Sequence, residues 1–189
     1  MSILEVFATL TGLIYLILLI KENIWCWLFG AISSALSVVL FYQSQLYSEA
    51  ILYFFYVLAA GYGYFIWSRK TVNAQSIQVR NIVMSAKALV IVVGVLIGIL
   101  LGYIMKRWTD ADLPFIDAQT TSFSFIATFL EAHKVIFGWI IWIMVNGASI
   151  ALYGYKGLYL YAGLMVVYFV LSIYGWLDWS KKHKMILSN

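Results

Sequence analysis

The hexapeptide "YGYFIW" (residues 62–67) returns as "YGWLDW" (174–179), and sliding the chain by the 112 positions that separate Tyr62 from Tyr174 lays it over itself without a gap. Outward from that match, Trp27 falls on Trp139, Thr9 on Thr121, Leu46-Tyr47 on Leu158-Tyr159 and Tyr56 on Tyr168, while Glu5 meets Asp117. A biased composition inflates such matches, but it does not keep aromatic and polar identities in one register over the length of three helices. The chain is therefore read as an internal repeat.

The medium for that repeat follows from composition. Of 189 residues, 64% are hydrophobic and only 11% charged, where a soluble domain carries about a quarter charged residues. Apolar runs separated by charge clusters cover 4–20, 25–42, 46–67, 82–105, 118–132, 135–153 and 158–179. A crossing helix needs about 20 residues, so seven crossings are expected, the first and fifth being the shortest or most polar. No ten-residue alternation of the barrel type occurs. The opening "MSILEVFATL" has neither a basic segment nor a small-residue cleavage site, so no removable signal peptide is expected. A single cysteine, Cys26, excludes an intrachain disulfide or a cysteine metal cage.

Parity then sets the arrangement. Three helices in each repeat with one between them put equivalent helices four crossings apart, so both repeats run the same way through the bilayer. The expected fold is an all-α integral membrane protein of seven helices, 3+1+3, as in the SWEET sugar transporters. Its parts are a first repeat over 1–67, a loop and linker helix over 68–112, and a second repeat with a basic tail over 113–189. With the N-terminus outside, nine of the twelve Lys and Arg fall on cytoplasmic segments (Lys21, Arg69, Lys70, Arg80, Lys87, Lys134, Lys181, Lys182, Lys184) and three outside (Lys106, Arg107, Lys156). The positive-inside rule favours that orientation, with the C-terminus cytoplasmic. The basic stretches are accordingly read as topology signals, and no nucleic-acid partner is expected.

"GWIIWIMVNG" (138–147) holds the residues that a plain anchor does not need. Trp139, Trp142 and Asn146, at i, i+3 and i+7, fall within about a 60° arc of one helix face. Two indoles and a carboxamide make a wall that stacks on a flat ring and exchanges hydrogen bonds with it. An interfacial belt also explains tryptophan, but Asn146 lies near mid-membrane, where an uncompensated amide is costly. The first-repeat equivalents are Trp27, Gly30 and Ser34, small where the second is bulky, which implies one asymmetric pocket. Thr121 and Ser124 bring hydroxyls to the fifth span, where back-bonding to their own helix is the alternative reading. Asp117 is expected to cap that span. Tyr56 and Tyr168, a repeat-related pair, lie deep enough to line a path. "GYG" (61–63) and "SIYG" (172–175) permit close helix approach. No HExxH, GxSxG, phosphate loop or Cys/His cluster occurs, so an enzyme, a metal and a cofactor are not expected, and no span shows the buried ionic relay of a proton-driven pump.

The segments "KENIWCWLFGAISS" (21–34), "LYSEAILYFFYVLAAGYGYFIW" (46–67), "DAQTTSFS" (117–124), "WIIWIMVN" (139–146) and "YKGLY" (155–159) resemble the PnuC family of bacterial vitamin transporters. The resemblance covers nearly the whole chain, and "WxxWxxxN" matches that family's substrate-helix signature in full. It implies facilitated uptake of nicotinamide riboside, a precursor of NAD, across the bacterial plasma membrane. It also implies a homotrimer in lipid with a separate path through each protomer. Relatives often have a glutamate where this chain reads "KVIFGW", and a glutamine in the fifth helix near the place of Thr128. Nicotinamide riboside is a flat pyridinium cation whose charge suits the tryptophan faces, and Asn146 pairs with its hydroxyls or carboxamide. Thiamine is also a flat cation and some relatives carry a flavin, so the tryptophans leave the vitamin open. A receptor that binds without transport is the reading from another class.

Overall fold

The computed structural model describes residues 3–43, 47–69, 77–108, 113–155, 157 and 159–188. Lys70 and Lys156 of the charge pattern, and Leu46 and Leu158 of the repeat, lie outside them. The described residues form seven helices: α1 (Ile3–Ile20), α2 (Cys26–Gln43), α3 (Tyr47–Ser68), α4 (Met84–Trp108), α5 (Pro114–Ala132), α6 (Phe137–Tyr155) and α7 (Tyr159–Ser188). Six of them, all but α5, are long and apolar enough to cross a membrane. Polar residues lower the hydropathy of α5, which carries Asp117, Gln119, Thr120, Thr121, Ser122, Ser124, Thr128 and Glu131.

The helices gather into two compact units, Met1–Gln78 and Val79–Asn189. In the first, α1 packs on α2 and α2 on α3; in the second, α4 packs on α5, α5 on α6 and α6 on α7. The linker helix α4 thus belongs with the second unit, and the reason is legible in its glycines. Gly94, Gly98 and Gly102 form a groove into which α5 sets Phe123, Gln119 and Phe115 respectively, each so close that a Cβ on the glycine would meet the side chain at 2.4–2.5 Å. The order of those pairs shows that α5 runs antiparallel to α4. Ser122 Oγ donates to Gly94 O at 2.9 Å and Gln119 Nε2 to Val95 O at 3.1 Å, fixing the register. Close approach at small residues with polar cross-links is how helices associate where lipid removes the hydrophobic drive.

The repeat is visible bond by bond. After α1 the chain enters a left-handed residue, Glu22 (φ 56°); after α5 it does so at Lys134 (φ 51°), 112 positions on. The turn closes with Glu22 N–H to Leu19 O and Asn23 N–H to Leu18 O in the first unit, and with Lys134 N–H to Glu131 O and Val135 N–H to Leu130 O in the second. Cys26 N–H then donates to Asn23 O, as Gly138 N–H does to Val135 O. Such bonds satisfy the orphan carbonyls of a helix C-terminus. The aromatic core is duplicated as well. Trp27 stands edge-on to Trp67 (centroids 5.5 Å, 88°) and Trp139 to Trp179 (5.4 Å, 87°). Gly63 and Gly175 admit the first ring of each pair, since a Cβ would lie 2.4 Å from Trp27 and 2.6 Å from Trp139.

Three local expectations change. Asp117 does not cap α5: Pro114 opens the helix one turn earlier, at a position where its missing N–H costs nothing, and Leu113 occupies the cap. Asp117 instead sits in the first turn, where its charge complements the helix dipole. Helix α7 runs to Ser188, well past Trp179, because "SKKHKMILS" contains no Gly or Pro to end it. A buried acid does occur: Glu131, 1% exposed, lies at the last turn of α5 rather than in mid-span.

Candidate functional site

The second unit collects most of the polar side chains singled out in the sequence. Helix α6 is apolar at every position that packs on α5, where Ile141 and Val145 join Ala127, Leu130, Val135 and Phe137 in a buried cluster. Trp142 is half-buried and packs against this cluster. Trp139 and Asn146 reach α7 instead. The indole of Trp139 is wholly buried between Gly175 and Trp179, and its Nε1 has no hydrogen-bond partner. Asn146 is 4% exposed, and its Nδ2 donates to Ser172 Oγ at 3.2 Å. Ser172, 1% exposed, donates in turn to the carbonyl of Tyr168 at 2.8 Å. Asn146, Ser172 and Tyr168 are therefore one connected chain across the α6–α7 contact.

On α5, Thr121 donates to Asp117 O at 2.8 Å and Ser124 to Thr120 O at 2.7 Å. Thr128 repeats the pattern toward Ser124 O at 2.9 Å. Each hydroxyl proton is thus committed to its own helix, the back-bonding arrangement usual in apolar surroundings. Each oxygen keeps lone pairs, so this ladder can accept but not donate. Tyr56 lies in the first unit, edge-on to Tyr53 at 5.7 Å and to Phe55 at 6.0 Å. Among the described residues no group of three or more His, Cys, Asp or Glu is placed to hold a metal ion.

Sequence reasoning missed Ser172, although the signal was present: it sits inside "SIYG", read for close approach and as a hinge and not for its hydroxyl. It also did not see how the α5–α6 turn is covered. Arg80 N–H donates to Lys134 O and Ile136 N–H to Arg80 O, both at 3.0 Å, so the segment before α4 runs beside the turn as a one-residue bridge. Val79, buried beneath, meets the His183 ring of α7 through its carbonyl at 3.2 Å. Lys87, near the start of α4, has its ammonium 5.8 Å from the Phe137 ring. The start of α4 and the ends of α5 and α7 therefore share one end of the unit.

Known proteins bear out this picture of the fold. The chain is similar to the nicotinamide riboside transporter PnuC of Escherichia coli (strain K12), with 26% identity over 184 residues, 84% of this chain and 77% of that protein. The nicotinamide riboside transporter PnuC of Neisseria mucosa is also 26% identical, over 92% of this chain and 70% of its own length. A crystal structure of the vitamin B3 transporter PnuC superposes with a TM-score of 0.80 at 24% identity, covering 96% of this chain and 82% of that one. The model of the nicotinamide mononucleotide transporter family matches residues 2–181, nearly the full chain, and the protein is thereby a member of that family of membrane transporters.

Proposed function

We propose that this protein is a membrane transporter that carries nicotinamide riboside into the cell by facilitated diffusion, with Trp142 and Asn146 of α6, Tyr168 of α7, and Thr121 and Ser124 of α5 forming its substrate site and Trp139 packed behind it against Gly175 and Trp179. The family takes its description from the mononucleotide, whereas the relatives are named for the riboside. The chemistry of this chain favours the riboside. From Asp117 through Glu131, across α6, and from Tyr159 to Leu177 there is no Lys or Arg. A phosphate dianion in such surroundings has no guanidinium or ammonium to pair with, and an unpaired buried charge is very costly. A pyridinium cation meets the opposite situation. The partly exposed Trp142 indole attracts it, a good contact contributing about 0.5–2 kcal/mol, and the uncharged acceptors of α5 and Asn146 suit its hydroxyls and carboxamide. That absence of basic residues beside an indole–carboxamide wall is the observation that carries the reading.

Helix α5 serves as the seventh crossing. It runs antiparallel along α4 from Gly102 to Gly94, and its polar side is turned to neighbouring protein by Ser122 and Gln119 rather than to lipid. Seven crossings keep the SWEET-like 3+1+3 order. An odd number of crossings puts the termini on opposite sides, and the charge pattern supports an outside N-terminus with the basic end of α7 in the cytoplasm. A homotrimer with one path per protomer completes the reading, supported by the family resemblance.

Uptake of labelled nicotinamide riboside into proteoliposomes, without an imposed ion gradient, tests the proposal. Equilibration competed by unlabelled riboside, but not by the mononucleotide, thiamine or riboflavin, is the expected result. Competition by the mononucleotide at equal concentration would overturn the charge argument, and binding without uptake would make the protein a receptor.

A further inference from the structure

The hydrogen-bond chain across α6 and α7 has a direction, and that direction dictates what the site offers a ligand. A serine hydroxyl has one proton. In Ser172 it goes to the carbonyl of Tyr168, one turn back along α7, at 2.8 Å. The Ser172 oxygen can then only accept. Its neighbour across the helix contact is the carboxamide of Asn146, which must present an N–H to it, as the 3.2 Å contact from Nδ2 shows. The orientation of a side-chain amide is ordinarily ambiguous between its two ends; here the fixed serine proton removes the ambiguity. Asn146 Oδ1 is left uncommitted among the described residues, an acceptor held in place by its own amide.

We infer that Ser172 is a positioning residue, which locks the Asn146 carboxamide with its oxygen free and so makes the site select a ligand group that donates a hydrogen. This deepens the transport reading and rests on Asn146 meeting the substrate. The hydroxyls of Thr121 and Ser124 likewise keep only acceptor capacity. A sugar hydroxyl or a carboxamide N–H fits such a set, and a carboxylate or phosphate oxygen does not.

The repeat supplies a natural control. The first-unit counterparts of Asn146 and Ser172 are Ser34 and Ala60, both buried, at 8% and 5% exposure. That unit keeps the same turn bonds and the same tryptophan–glycine–tryptophan packing without an Asn–Ser link. Folding of the helix pair therefore does not require the link. The same comparison indicates that Ser172→Ala is sterically benign.

The test is a double-mutant cycle on the purified full chain, titrated with nicotinamide riboside. Ser172→Ala is expected to raise Kd about five- to tenfold, the scale of one lost neutral hydrogen bond with its orienting effect. Asn146→Ala is expected to raise it at least as far, and the double variant to bind no more weakly than Asn146→Ala alone, because Ser172 acts through Asn146. Ser172→Cys keeps the volume with a poorer acceptor and should fall between, so it answers the question if the alanine variant does not fold. Normal binding by Ser172→Ala, or losses that multiply in the double variant, overturns the positioning role while leaving the site in place. Normal binding by Asn146→Ala overturns the site reading itself, and this inference with it.

Discussion

At residue 30 of the first unit a glycine receives the ring of Tyr15 from α1, so closely that a Cβ would lie 2.9 Å from it. At the matching place in the second unit Trp142 supplies the bulk from α6, and the residue matching Tyr15 is Ala127, fully buried in the cluster on which Trp142 leans. Knob and hole have changed helices. The volume is filled either way, as close packing requires, but in the second unit the large ring rides on the helix that also carries Asn146. Polarity follows the same asymmetry: Gly12, Leu16 and Ala60 in one unit correspond to Ser124, Thr128 and Ser172 in the other. What the units share therefore reports on folding, and what separates them is where the proposed ligand site is to be tested.

The shared part breaks most readily at the glycines under the tryptophans. Gly63→Ala and Gly175→Ala each set a methyl within 2.6 Å of an indole that is itself buried against a second tryptophan. Overpacking of this kind costs about 1–3 kcal/mol, and the loss should be similar in the two units. Thermal unfolding in detergent measures it. Gly61→Ala is the matched control, for no atom lies within 4 Å of its added Cβ; its melting point should stay level or rise slightly, since alanine is the better helix former. A clear difference between Gly63→Ala and Gly175→Ala would sink the equivalence of the two cores.

The unshared part should respond on one side only. Asn146→Ala is expected to weaken riboside binding about tenfold or more, the consequence of leaving a buried polar ligand group unmatched, while Ser34→Ala in the first unit changes it less than twofold. A sharper version exchanges the knob. Trp142→Gly combined with Ala127→Tyr rebuilds the first-unit pattern in the second, and the pair should fold because both halves of the swap already occur together at Tyr15 and Gly30. Riboside affinity should fall by about twofold to thirtyfold, the range of one lost cation–π face. Unchanged affinity in a well-folded swap would remove Trp142 from the site.

Membrane class and the repeat were legible at once, because hydropathy and a gapless offset survive without knowledge of contacts. Trp139 shows where reading one helix stops. On the helix wheel it joins Trp142 and Asn146, yet its ring is enclosed by Gly175 and Trp179, and the identical trio Trp27, Gly63 and Trp67 had marked that packing role in the sequence. The placement of Asp117 turned on Pro114, a single residue whose ring restarts the helix. Ser172 and the Arg80 bridge were not legible, since one depends on which hydroxyl proton is already committed and the other joins residues far apart in the chain.

The smallest expected effect separates the two matching turns. Lys21, after α1, is exposed, whereas its counterpart His133, after α5, is partly covered and stacks near Phe129 (centroids 4.7 Å) beside the Arg80 bridge. Burial first, and the Arg80 charge second, hold the His133 imidazole below its ordinary 6.5. Between the folded value and 6.5 the unfolded chain binds the extra proton and the folded one does not, so stability rises with pH across that interval. It is undiminished above 6.5 and declines as acidification passes down through the folded pKa. His133→Gln should flatten this part of a melting-point profile measured from pH 7.5 to pH 5, and Arg80→Gln should reduce its slope by letting the His133 pKa climb back. Lys21→Gln, at the matching exposed turn of the first unit, should leave the slope alone; a profile that bends with Lys21 and not with His133 would put the acid-sensitive turn in the other unit.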